Sequence, residues 1–291
     1  MKTCPYCGRE YPDNVERCLS DNELLADGEP AAAPTVESPP TATSPPPPVV
    51  PASASPAKAP WTEREIRTFE LVLVCLLAFG RSILSSGHTL WLYGGYIRPA
   101  YETGTYGWIY NIFCQASGLG LLCYVLLRRR KSFADLGFNW EKKDIGRSIL
   151  LRLGGWLAFY AVYNGIYYSG LTTTSYQAGT TQVAHLLFGG GIFEATILYQ
   201  FLNPFFEELI VRAYVMTEIT FLTNSLPKAV MVSTLLQTSY HFYQGAPAAI
   251  GHGATFLIWS IYYAKTGRIA PIILAHLYSD VGSTLWYGLH H

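Results

Sequence analysis

Two adjacent carboxylates, Glu207 and Glu208, stand in an otherwise apolar run, with Arg212 four residues after the second. Every position from Ala195 to Phe206 is uncharged. Ionisable groups at membrane depth are expensive, so they normally face a polar interior and mark function. On a helix, Glu208 and Arg212 are neighbours on one face. The 3.6-residue repeat turns Glu207 about 100° away. The spacing predicts that Arg212 holds Glu208 while Glu207 points elsewhere, free to act on another group. For the pair taken alone, a helix end with its charges wetted at the membrane surface is an equal reading. Downstream residues tip the balance. His241 closes one apolar segment, and His276 and Asp280 stand four apart in another. Asp280 can therefore orient the imidazole, or join it in holding a water or a metal. A lone intramembrane histidine is usually a hydrogen-bonding residue between helices. Two His, two Glu and an Asp in three such segments can instead build one buried site with a base, a polariser and an orienter.

The elements that must carry these residues follow from composition. Half of the 291 residues are hydrophobic and 14% are charged, against about 25% charged in soluble proteins. Lys+Arg and Asp+Glu balance at 20 each, which argues against a nucleic-acid partner bound through net charge. A spanning helix needs about 20 mostly apolar residues. Seven segments qualify, some marginally: Thr68–Leu90, Tyr106–Leu127, Ser148–Tyr168, Gly191–Leu222, Ala229–Tyr243, Pro247–Ala264 and Ile269–Tyr287. The expected fold is an all-α polytopic membrane protein with about seven transmembrane helices over 61–291.

Charge asymmetry of the loops predicts its orientation. Arg64 and Arg67 precede the first segment, and Arg128 to Lys131, Lys142, Lys143 and Arg147 crowd the second loop. Lys228 follows the fourth segment, and Lys265 and Arg268 the sixth, whereas the opposite loops carry little beyond Arg98. With seven spans these groups all fall on one side, which places the N-terminus in the cytoplasm; the expected bilayer is a bacterial inner membrane. No cleavable signal peptide is expected, since the first thirty residues are polar. Trp91, Trp108 and Tyr167 fit an interfacial aromatic belt. His185 and His252 read as interfacial, and Arg81 as snorkelling or lining a cavity.

Ahead of the membrane part lies a different kind of sequence. Cys4 and Cys7 form a Cys-x-x-Cys knuckle followed by Gly8, and Cys18-Leu-Ser-Asp21 stands where a second knuckle is normally found. Three thiolates and a carboxylate are legitimate zinc ligands, so residues 1–26 are expected to form a small zinc-ribbon-like module with zinc on Cys4, Cys7, Cys18 and Asp21. A degenerate ribbon or a redox pair is the other reading. Residues 27–60 are rich in Pro, Ala, Ser and Thr, with Pro45 to Pro48 in a row. That composition lacks the apolar groups to offset ordering entropy and predicts a disordered tether.

Glu207-Glu208-x-x-x-Arg212, then His241, then His276-x-x-x-Asp280, together with the approach Lys265-Thr-Gly-Arg-Ile-Ala-Pro-Ile-Ile-Leu-Ala-His276, resembles the CPBP family. That family holds the type II CaaX prenyl proteases and bacteriocin-processing or immunity proteins. Two departures stand out: Gln237 replaces the Phe expected four before His241, and Val211 and Ala213 flank Arg212 where Phe and Gly are usual. Gln237 reads as a packing position rather than a chemical one. The resemblance implies an intramembrane endopeptidase acting on a peptide or membrane-protein substrate. Glu207 would activate a water, Glu208 would be fixed by Arg212, and His241, His276 and Asp280 would hold the water or steady the oxyanion. Residue types leave open whether the site uses a metal or a glutamate-activated water alone. A non-catalytic scaffold or immunity and regulatory protein, recruiting a protein partner through the N-terminal module, is the competing function. A proton-coupled transporter could use the same Glu/His set, but no inverted internal repeat is visible.

Overall fold

The computed structural model describes residues 2–3, 10–11, 26–27, 61–93, 104–171 and 193–290. The chain divides into two units, residues 1–60 and 61–291. In the first, three short strands form a small antiparallel sheet: β1 (Lys2–Thr3) pairs with β2 (Glu10–Tyr11) on one side and β3 (Ala26–Asp27) on the other. The expected zinc ligands Cys4, Cys7, Cys18 and Asp21 lie outside the described residues, as do His185, Arg98 and the tether beyond Asp27.

The second unit is helical among its described residues. It runs α1 (Glu63–Tyr93), α2 (Thr105–Arg128), α3 (Lys143–Tyr168), α4 (Phe193–Glu207), a π-helical segment (Glu208–Tyr214), α5 (Val215–Thr223), α6 (Leu226–Ser239), α7 (Ala246–Thr266) and α8 (Ala270–His290). Helix falls on each of the seven segments expected from sequence, with the fourth formed by the unbroken run 193–223. Glu63–Leu92, α2 and α3 are long and apolar enough to cross a membrane by themselves. Three of the others lack that signature for readable reasons. The fourth run contains Glu207, Glu208 and Arg212, and α8 contains His276 and Asp280. With 14 residues, α6 reaches only about 21 Å at 1.5 Å per residue, short of a hydrocarbon core of about 30 Å.

Charged side chains lie buried while large apolar side chains lie exposed. Every residue from Phe206 to Met216 is buried, including Glu207, Glu208 and Arg212. The outer faces of α1 to α3 display Leu76, Leu77, Leu84, Phe113, Leu150 and Leu157. An apolar skin over a core that encloses charged groups is what lipid as solvent selects. The chain is an integral membrane protein.

Local chemistry sets the breaks that position the site. Pro204 lies inside α4, where it removes a backbone donor and loosens the turn before it. The π segment begins four residues later; such segments recur at functional sites. Asn224 adopts a left-handed conformation and Ser225 caps α6, turning the chain sharply after α5. Gly137, with φ +80°, lets the loop after α2 dock on the α7–α8 turn. A Cβ there would lie 1.7 Å from the Gly267 carbonyl oxygen, and the Ile269 amide donates to the Gly137 carbonyl at 3.2 Å. Arg268 then bridges Glu141 and Asp144 at 2.6 and 2.8 Å, while Arg67 and Arg129 bracket Glu218 at 2.8 and 2.7 Å. The basic loops thus gather with their counter-ions at one end of the bundle.

Candidate active site

Helix α4, the π segment, the turn after α6 and helix α8 deliver the predicted residues to one place. Glu207 ends α4, Glu208 opens the π segment, His241 follows α6, and His276 and Asp280 project from α8. One ligand atom each from Glu207, Glu208 and His276 lie within 4.8 Å of one another. The two carboxylates reach the same place, and of the two only Glu208 is paired with Arg212 among the described residues.

Glu208 is the anchored member. Arg212 forms an ion pair with it through Nη1, and both side chains are completely buried. His276 Nδ1 donates to Glu208 Oε1 at 2.7 Å. The Arg212 guanidinium also lies 5.4 Å above the ring of Phe256 and 5.2 Å from that of Trp259. Its Nε and Nη2 have no hydrogen-bond partner among the described residues, so the aromatic faces provide the remaining stabilisation of its charge. Trp259 is itself pinned by donation from its indole to the Leu151 carbonyl at 3.1 Å, and Thr255 donates to the Gly155 carbonyl at 2.7 Å. That clasp ties α7 to α3 and fixes the wall of the site.

Glu207 has no cation paired with it among the described residues. Gln237 donates to it, with Nε2 2.9 Å from Glu207 Oε2 and 3.5 Å from Glu208 Oε1. The reading of Gln237 as a packing residue is therefore overturned: its side chain touches both carboxylates. Its backbone carbonyl accepts from His241 Nδ1 at 2.7 Å. A carbonyl can only accept, so the proton resides on Nδ1 and the Nε2 lone pair of a neutral His241 is left available. His276 has the opposite surroundings, with Glu208 on Nδ1 and Asp280 Oδ2 at 3.4 Å from Nε2. Between two carboxylates an imidazole serves as a donor.

A chain of amides completes the arrangement. Asn203 Nδ2 donates to Asp280 Oδ2 at 3.0 Å, and Gln115 Nε2 donates to Asn203 Oδ1 at 2.6 Å. His252, read from sequence as interfacial, instead packs 4.6 Å from Phe159 and 5.6 Å from His241 between ring centroids, within the aromatic wall. Arg81 reaches Asn111 at 3.4 Å and lies over Tyr110, linking α1 to α2. Sequence reasoning missed Gln115, Asn203 and Gln237. For two of them a signal exists: Asn203 and Gln237 each precede a site residue by four positions, on the same helical face.

The donor set also bears on a metal. Both oxygens of Glu208 are already engaged, by Arg212 and by His276 Nδ1, and both nitrogens of His276 face carboxylates. A divalent ion on Glu207, Glu208 and His276 would have to break these bonds beside the Arg212 guanidinium.

Residues 189–282 match the family model described as Type II CAAX prenyl endopeptidase Rce1-like. The match supports the CPBP family. It spans all six predicted site residues, from Glu207 to Asp280, and the family is one of proteases. Neither a curated protein nor a solved structure matches the chain.

Proposed function

We propose that this protein is an intramembrane endopeptidase that hydrolyses a peptide bond with a glutamate-activated water and no metal at the reacting centre. The observation that carries the reading is the asymmetry of the carboxylate pair. Glu208 is neutralised by Arg212 and bonded to His276, whereas the adjoining Glu207 is buried without a cation. A buried anion left unpaired is retained for chemistry rather than packing.

In the proposed reaction, Glu207 accepts a proton from a water as the water oxygen bonds to the scissile carbonyl carbon. The carbonyl oxygen gains the electron pair, and His276, with Nδ1 held by Glu208, turns its Nε2–H from Asp280, 3.4 Å away, to donate to that oxyanion. His241 offers its Nε2 lone pair to the same water. Collapse of the intermediate breaks the C–N bond, and the leaving nitrogen takes the proton from Glu207. The substrate is a peptide or a membrane-protein segment in a bilayer, approached with the basic loops and the N-terminus on the cytoplasmic side. The N-terminal module is proposed to bind zinc and to recruit a protein partner, joined by a tether to a protease domain over 61–291.

The test is incubation of the purified chain in detergent with peptides taken from membrane-protein segments. Product masses should sum to substrate plus one water, and Glu207→Gln should yield no products. Cleavage by the variant at the rate of the unmodified chain would remove Glu207 from the mechanism.

A further inference from the structure

Gln237 contributes to the site in three ways from a single position. Its side chain is completely buried. Its amide nitrogen lies 2.9 Å from Glu207 and 3.5 Å from Glu208, and its backbone carbonyl holds His241 Nδ1. Carboxylate oxygens can only accept, so the NH2 group, and not the amide oxygen, must face them. The amide oxygen is thereby turned into a buried place with no hydrogen-bond partner among the described residues. A residue selected for packing would not be left so, since an apolar side chain of the same shape would avoid an unpartnered acceptor.

We propose that Gln237 is a positioning residue for the proteolytic reaction, dividing the two hydrogens of its amide between Glu207 and Glu208. Two carboxylates sharing one apolar site normally resolve their repulsion by sharing a proton, which would engage the base. A neutral donor placed between them takes the place of that proton. Glu207 is then left charged and oriented, with its second oxygen open to a water, while Glu208 stays with Arg212 and His276. The same residue fixes the ring of His241 through its carbonyl, so base and histidine share one reference point. This inference rests on Glu207 being the base.

The experiment compares Gln237→Met, which keeps the shape without the donor, with Gln237→Glu, which exchanges the donor for a third carboxylate. The titratable and charged groups facing this position are Glu207, Glu208, Arg212, His276, His241 and Tyr240. Loss of an orienting partner typically lowers activity by about 10–100-fold, so Gln237→Met should lower kcat in that range, with KM within about twofold and thermal stability kept or raised. Gln237→Glu should be least active at neutral pH and recover as pH falls, because a protonated carboxyl can donate where the amide did. A residue that only packs would show neither the kcat-specific loss nor the reversed pH response. Labelling of Glu207 with a hydrophobic carbodiimide, read by peptide mass spectrometry, gives a second readout that needs no substrate. It should rise several-fold in Gln237→Met. Unchanged kcat or unchanged labelling in Gln237→Met overturns the proposal. Glu207→Gln, measured beside these variants, separates the two ideas: inactive Glu207→Gln with fully active Gln237→Met leaves the base in place and removes only the role of Gln237.

Discussion

Replacing Arg212 tests the anchoring of the carboxylate pair most severely. Arg212 and Glu208 are both completely inaccessible to solvent and form an ion pair across one turn. Arg212→Ala leaves Glu208 as a buried anion without its cation. Breaking a buried pair from one side typically costs about 3–5 kcal/mol. His276 Nδ1 still donates to Glu208 at 2.7 Å, which places the expected loss toward the lower end of that range. The contacts of the guanidinium with Phe256 and Trp259 push the other way, each worth about 1–2 kcal/mol when desolvated. A loss near 4 kcal/mol is expected, close to a thousandfold in the folded-to-unfolded ratio at about 1.4 kcal/mol per decade. The assay is thermal unfolding in detergent, together with the yield of folded protein in membranes. Glu208→Gln made in the Arg212→Ala background should restore part of the loss, because it removes the stranded charge. An Arg212→Ala protein as stable as the unmodified chain would refute the reasoning, as would a double variant less stable than either single one.

Two further outcomes are expected. Asn203→Ala removes the donor that steadies Asp280 and leaves the Gln115 amide without its acceptor. It should lower kcat by about tenfold and stability by about 1–3 kcal/mol, measured by cleavage rate per folded protein beside thermal unfolding. In the full chain, metal analysis should find one zinc per molecule under reducing conditions. Cys4→Ser with Cys7→Ser should abolish it without changing cleavage, and retained zinc in that variant would remove those thiolates from the site.

The helices were legible in the sequence because lipid imposes a strong pattern: long apolar runs separated by basic or polar turns. Their positions match the expected segments closely for α1 to α3, which are long and apolar enough to span by themselves. The limits were less legible in the fourth segment. Neither Pro204 nor the residues after it announce a π turn. The site was readable where residue type carries charge, as at Arg212, His276 and Asp280, because a buried charge requires a partner and four-residue spacing supplies one. Gln237 was misread since a neutral amide in an apolar segment has no such requirement, and its partners come from another helix, 30 and 29 residues away. Gln115 is more distant still, 88 residues from Asn203, so only the packing of α2 against α4 reveals it.

The central claim is that Glu207 performs the chemistry while the rest of the constellation holds it in place. The most direct measurement is cleavage per folded molecule for Glu207→Gln, taken with its melting temperature beside the unmodified chain. Removing a buried, unpaired charge should leave the melting temperature unchanged or higher, as happens where function is held at the expense of stability, and cleavage should vanish. A variant that unfolds readily, yet cleaves through whatever remains folded, would show that Glu207 supports the structure and that the base lies elsewhere.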